Sequence, residues 1–151
     1  MSILTQEQTK KISDRVMSLT KADECIVNIE GSTIGNIRFA RNAVSTAGLA
    51  DDTRVQVQVA FGKKQGTATI NEFDDKSIER AVRRAEDLAK LAPDNPEFIP
   101  AIAKTAYKPS DTFVQKTADI DPEFRAQAAA YAIEGCRKRG LGSARFFTPR
   151  T

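Results

Sequence analysis

One stretch of this sequence restricts the fold more than any other. Between Arg54 and Phe61, Val55, Val57, Val59 and Phe61 alternate with Arg54, Gln56, Gln58 and Ala60. A period of two puts the first set on one side of a strand and the second on the other. One dry face and one wet face fit an antiparallel sheet covered on one side.

The same period recurs upstream. Cys25, Val27 and Ile29 alternate with Glu24, Asn28 and Glu30, and Ile37 and Phe39 alternate with Asn36, Arg38 and Ala40. Gly31-Ser32 and Asp51-Asp52 read as turns, Arg41-Asn42 as a short break, and Gly62 to Gly66 as a tight connection. Val44 to Leu49 and Thr67 to Ile70 supply two further strands. Short connections make consecutive strands antiparallel neighbours. The prediction is an α+β fold: a five-stranded, mainly antiparallel meander from about 24 to 71, with helices packed on one face.

Three helices frame this sheet. Thr5 and Gln8 have capping-box spacing ahead of a helix to Leu19, whose apolar side is Ile12, Val16 and Leu19. Asp74 or Asp75 caps a second helix with a stripe of Ile78, Ala81, Val82, Ala85, Leu88 and Ala89, and Pro93 ends it. Asp121-Pro122-Glu123 opens a third, with Phe124, Ala128, Tyr131, Ala132 and Cys136 as its apolar face and Gly140 as its C-cap. Between the last two, residues 94–119 contain Pro96, Pro100 and Pro109 and read as a long extended connection. Residues 141–147 read as the beginning of another strand. Phe146 and Phe147 then need a partner, either in a following domain or in the sheet already described.

Composition narrows the chemistry. The 151 residues include no histidine, which removes zincin-type spacing and the usual base of nucleophilic catalysis. Two distant cysteines make no zinc motif and read as free thiols. Asp51-Asp52 and Asp74-Asp75 are explained by a turn and a cap. The glycines match neither a dinucleotide fingerprint nor a P-loop. A net charge of +3 is spread over scattered clusters, which argues against direct nucleic-acid contact. The first residues show no secretion signal, no apolar run approaches the ~20 residues of a membrane span, and the reducing cytoplasm is the expected location. What remains is partner or peptide binding, for which a sheet edge is suited. Arg38, Asn42 and Asn71 are polar residues at strand ends and the candidates for such contact. They equally fit a plainer role, Arg38 pairing with a surface acid and the two asparagines serving turn geometry.

The string Asn36-Ile37-Arg38-Phe39-Ala40-Arg41-Asn42 resembles the RFA-x-N strand-end signature of the TldD/PmbA family. The order of the downstream segments is also similar: the alternating strand to Phe61, Gly62, Gly66-Thr67-Ala68-Thr69-Ile70-Asn71, the alanine-rich helix over 75–92, the Pro93 to Pro100 segment, and a later helix ending in Gly140-Leu141-Gly142-Ser143-Ala144. The resemblance implies a TldD/PmbA-like amino-terminal domain over residues 1–140, with 141–151 beginning a following strand or domain. It implies two-subunit metallopeptidases that act on small or unfolded peptides and are described as modulators of DNA gyrase. Catalytic members of that family bind zinc through HExxxH and a cysteine well downstream, and non-catalytic paralogues lack the motif. No metal ligand carries over to any position here, and Cys25 and Cys136 do not match the family's metal cysteine. The implied role is a non-catalytic domain, inactive alone and without a cofactor of its own, that helps form the substrate chamber and the subunit interface. Its partners would be a second TldD/PmbA-type subunit and a peptide, with zinc held by the full-length catalytic member. The alternative is a free-standing peptide- or protein-interaction module without enzymatic activity.

Overall fold

The computed structural model describes residues 4–102, 105, 106, 108, 110 and 113–151. These fall into two compact units. The first holds the described residues of 4–31 and 53–108, the second those of 32–52 and 110–151.

The strands are β1 (Glu24–Ala40), β2 (Ala43–Phe61), β3 (Lys64–Ile70) and β4 (Ala144–Phe147). The helices are α1 (Gln6–Leu19), α2 (Asp75–Leu91), α3 (Gln115–Ala118) and α4 (Pro122–Arg137). The fold is α+β, with strand order β3-β2-β1-β4. The sheet therefore has four strands, not the expected five. The error lies at Gly31-Ser32 and Asp51-Asp52, which are not turns: β1 and β2 run straight through them. A reversal needs backbone of a particular hand. Among the described non-glycine residues, positive φ falls only on Arg41 (53°) and Asn42 (58°), which make the two-residue hairpin between β1 and β2. The polar breaks instead mark where both strands pass from the first unit to the second. There the Thr33 hydroxyl donates to the Asp51 carboxylate, holding that acid below its ordinary pKa.

In the first unit the alternation is realised from Arg54 to Val59, while Ala60, expected on the wet face, is buried and Gln58 is half-buried. Val55, Val57 and Val59 are buried against Ile12 and Val16 of α1, Ala68 of β3, and Ile78, Ala81, Val82, Ala85 and Ala89 of α2. Each fully buried valine contributes about 1.5–3 kcal/mol. The capping box forms: the Thr5 hydroxyl accepts from the Gln8 N–H at 3.2 Å, and the Gln8 side chain accepts from the Thr5 N–H at 2.9 Å. Asp74 caps α2, accepting from the N–H groups of Lys76 (3.0 Å) and Ser77 (3.1 Å). Only Gly62 and Lys63 connect β2 to β3, with Gly62 at φ +57°. Gly66 sits inside β3, where a Cβ would lie 2.9 Å from the Ala89 Cα and closer still to the Ala85 carbonyl. Its role is close approach to α2, not a turn.

In the second unit Ile37 and Phe39 of β1 pack with Ala129 and Ile133 of α4, and Phe147 of β4 covers them. Asp121 caps α4, with Pro122 in its first turn. The buried side of this helix is Arg125, Ala129 and Ile133, spaced four apart. The expected face was wrong: Phe124 is 52% and Tyr131 77% exposed. Alanines line the helix on several sides, so its apolar period is weak and the two aromatics misplace it. β4 joins the sheet antiparallel to β1, pairing Ile37 with Phe147 and Arg38 with Phe146. Phe147 thereby has a core to enter, while Phe146 stays exposed. The connection expected over 94–119 contains α3, and residues 103, 104, 107, 109, 111 and 112 of it lie outside the described residues, as do residues 1–3 of the expected leader-free start.

Candidate functional site

β3 pairs with β2 only from Val55 to Phe61. Beyond that, on the same side, residues 43–54 of β2 have no strand neighbour among the described residues. In an extended strand, alternate N–H and C=O groups then point outward without a ladder partner. Within the second unit this open edge carries small and exposed residues, including Val44 and Leu49. Beside its start lies a groove of about 640 Å³, lined by Ala43, Val44, Ala126, Ala130, Ile133 and Arg137 among others. The groove floor is short and apolar and its rim is charged, so it has room for extended backbone flanked by side chains.

Asn42 holds the hairpin tip in place beside this groove. Its Oδ1 accepts from the Ser143 N–H at 2.8 Å and from the Ser143 hydroxyl at 2.7 Å. Its Nδ2 donates to the Leu141 carbonyl at 3.0 Å, and its own carbonyl accepts from Arg137 at 3.2 Å. The side chain is fully engaged in joining the hairpin to the segment after α4. Asparagine also tolerates the left-handed φ found there. Arg38 is exposed opposite Phe146 and forms no ion pair with a described residue. Asn71 follows β3, exposed, in the first unit. Of the three predicted residues, Arg38 and Asn42 share a unit and Asn71 does not.

The most enclosed acid among the described residues was missed by the sequence reading. Glu86 on α2 is 2% exposed. Its carboxylate accepts from the Lys21 N–H at 2.6 Å and pairs with Arg83 at 2.7 Å. Burial pushes its pKa up, but the Lys21 N–H and the Arg83 guanidinium outweigh burial and hold it below the ordinary value. Nearby, burial raises the Cys25 thiol, the Thr20 hydroxyl lowers it, and the negative field of Glu86 raises it further. A thiol held protonated is a poor nucleophile. Glu86 and its partners tie the segment after α1 to α2.

Fold and residues together define an α+β domain with an antiparallel sheet and an open edge. Residues 26–89 match the family model described as PmbA/TldA metallopeptidase domain 1. Over that stretch the chain carries a TldD/PmbA-type first domain. TldE from Thermococcus kodakarensis superposes with a TM-score of 0.74 at 13% identity, over 94% of this chain and 37% of that one. A candidate modulator of DNA gyrase from Bacteroides thetaiotaomicron gives 0.73 at 12% identity, over 97% and 40%. A second protein so described, from Thermotoga maritima, gives 0.66 at 16%, over 94% and 37%. At these identities the likeness is one of fold, and this chain spans about two fifths of each solved relative. No curated protein sequence matches significantly.

The zinc implied by the family does not fit the residues present. The sequence has no histidine, and Cys25 and Cys136 are free and fall in different units. Among the described residues no three His, Cys, Asp or Glu side chains group closely enough to hold a metal. Nor is any helix among them long and apolar enough to cross a membrane.

Proposed function

We propose that this domain is a non-catalytic part of a TldD/PmbA-type metallopeptidase, contributing to the substrate chamber and to the contact with a second subunit. The full assembly hydrolyses small or unfolded peptides in the cytoplasm, with zinc held by residues outside this chain. The observation that carries the reading is the open edge of β2 beside the α4 groove. Unpaired backbone groups next to an apolar trough suit an extended peptide or a partner strand. Val44→Glu and Ala130→Glu place charge in that trough without touching the core. In the full-length protein assembled with its partner, these variants should retain zinc while losing subunit association or raising KM for peptides. Wild-type association and kinetics in both variants would defeat the reading.

A second reading is a free-standing interaction module, favoured by the fact that edge and groove are formed within one unit. Binding of an extended peptide by the 151-residue chain alone, abolished by the same two substitutions, would favour it.

A further inference from the structure

The second unit holds a cavity of about 210 Å³ for which the peptidase reading has no use. Its walls include Thr33, Gly35, Leu49, Thr117, Pro149 and Arg125. Arg125 is only 4% exposed, yet no carboxylate among the described residues pairs with it. Among the described residues its side chain makes one hydrogen bond, from Nη1 to the Ile120 carbonyl at 3.2 Å. A guanidinium has five N–H donors and cannot shed its charge. No fully enclosed side-chain nitrogen or oxygen among the described residues lacks a partner. Nε and Nη2 of Arg125, with no hydrogen-bond partner among the described residues, are therefore not fully enclosed, and the residue lines the cavity.

The seat of this side chain is specific. A Cβ on Gly35 would lie 2.8 Å from the Arg125 Cζ and nearer still to Nη1, so the guanidinium rests where only glycine leaves room. Among the described residues no acidic side chain lines the cavity, and Arg125 brings its only charged side chain. Thr151 also lines it and carries the terminal carboxylate, but its oxygen accepts from the Thr33 N–H at 3.0 Å and forms no ion pair with Arg125. A buried charge without a close partner is costly unless something answers it.

We propose that this cavity is a carboxylate-binding site with Arg125 as its anchor. The Nε and Nη2 edge of a guanidinium matches the two oxygens of a carboxylate in a side-on, bidentate pair. One cation balances one carboxylate, whereas a phosphate dianion would call for more donors than this wall offers. The carboxylate is the terminus of a peptide, an acidic side chain or a small organic acid, and the volume admits little beyond the group and its first carbons. The inference stands apart from the peptidase reading, since it uses neither the β2 edge nor a metal.

The test is an NMR titration of the isotope-labelled 151-residue chain, following the Arg125 Nε–H and Gly35 N–H signals. The probes are sodium acetate, N-acetyl-trialanine with a free carboxyl terminus, the same peptide amidated, and an amidated peptide with one aspartate. Sodium chloride at matched ionic strength is the control. Saturable shifts are expected with acetate and with at least one carboxylate peptide, and not with the amidated trialanine. Which peptide binds separates a terminal from a side-chain source. Arg125→Met should weaken binding about tenfold or more, and Arg125→Lys should restore only part of it, because the planar fork is gone. Should Arg125→Met fail to fold, Leu49→Trp narrows the cavity from an exposed wall and should weaken binding likewise. Shifts equal to those in chloride, shifts unchanged in the folded variants, or no saturation in the wild type would overturn the site.

Discussion

The carboxylate of Glu86 accepts the backbone N–H of Lys21 at 2.6 Å, joining the middle of α2 to the residue just past the C-cap of α1. The same carboxylate pairs with Arg83 one turn away. Removing it leaves a backbone donor and a half-buried guanidinium without their acceptor. Glu86→Ala should cost ~3 kcal/mol. Glu86→Gln keeps an acceptor for Lys21 and should cost less, about 1–2 kcal/mol. Urea midpoints at constant slope measure both.

This acid also sets a pH dependence. Its pKa is lowered in the folded chain, so the stability it contributes is fully present above the ordinary glutamate value. That contribution is lost as pH falls through the lower folded value. The wild type should lose more stability than Glu86→Gln on going from neutral pH to below the carboxylate range. Parallel stability curves for the two proteins would refute the assignment.

Gly66 and Gly62 separate two reasons for glycine. At Gly66 an added Cβ meets backbone of Ala85 and Ala89, and neither can yield without moving α2. Gly66→Ala should therefore cost ~3 kcal/mol or more. At Gly62 nothing lies within 4 Å, but φ is +57°. Gly62→Ala should cost about 1 kcal/mol, and Gly62→Asn less. Thermal denaturation should rank the variants in that order, and equal losses at 62 and 66 would contradict the packing argument.

Much of the first unit was legible because single residues decide it. Val55, Val57 and Val59 announce their face by period two, and Thr5, Gln8 and Asp74 announce helix starts by capping chemistry, as Asp121 does in the second unit. The strand count was not legible. Gly31-Ser32 and Asp51-Asp52 are turn-like in composition, but a pair of long strands can carry polar residues where neither face enters a core. The face of α4 was not legible either, since alanine satisfies several faces and an arginine on the buried side looks like a solvent residue. The spacing of Arg125, Ala129 and Ile133 was the available signal, and Phe124 and Tyr131 masked it. Of the predicted contact residues, Asn42 bonds to Ser143 and Leu141, which no local pattern shows because both are distant in sequence.

Cys25 should react slowly. It is half-buried and burial is the largest influence raising its thiol pKa. In a Cys136→Ser background, alkylation by iodoacetamide should lag well behind a cysteine peptide at neutral pH. The rate should rise as pH passes above the usual thiol range. Peptide-like rates at neutral pH would mean that the thiol is open and ionised.

Asn42 combines a strained backbone with three side-chain hydrogen bonds, and two substitutions separate the contributions. Asn42→Gly keeps the left-handed φ and loses the bonds to Ser143 and Leu141. Asn42→Ala loses the bonds and adds strain. Ser143 is 7% exposed, so its N–H and hydroxyl would lose a partner that water replaces poorly. Asn42→Gly should cost about 2 kcal/mol, and Asn42→Ala about 1 kcal/mol more. Hydrogen exchange adds a spatial readout: the Ser143 amide should lose protection in both variants, while the Lys21 amide in the other unit should keep its own. A neutral Asn42→Gly would mean that the asparagine serves the turn alone, and the link from the hairpin tip to the start of β4 would have to be carried by strand pairing.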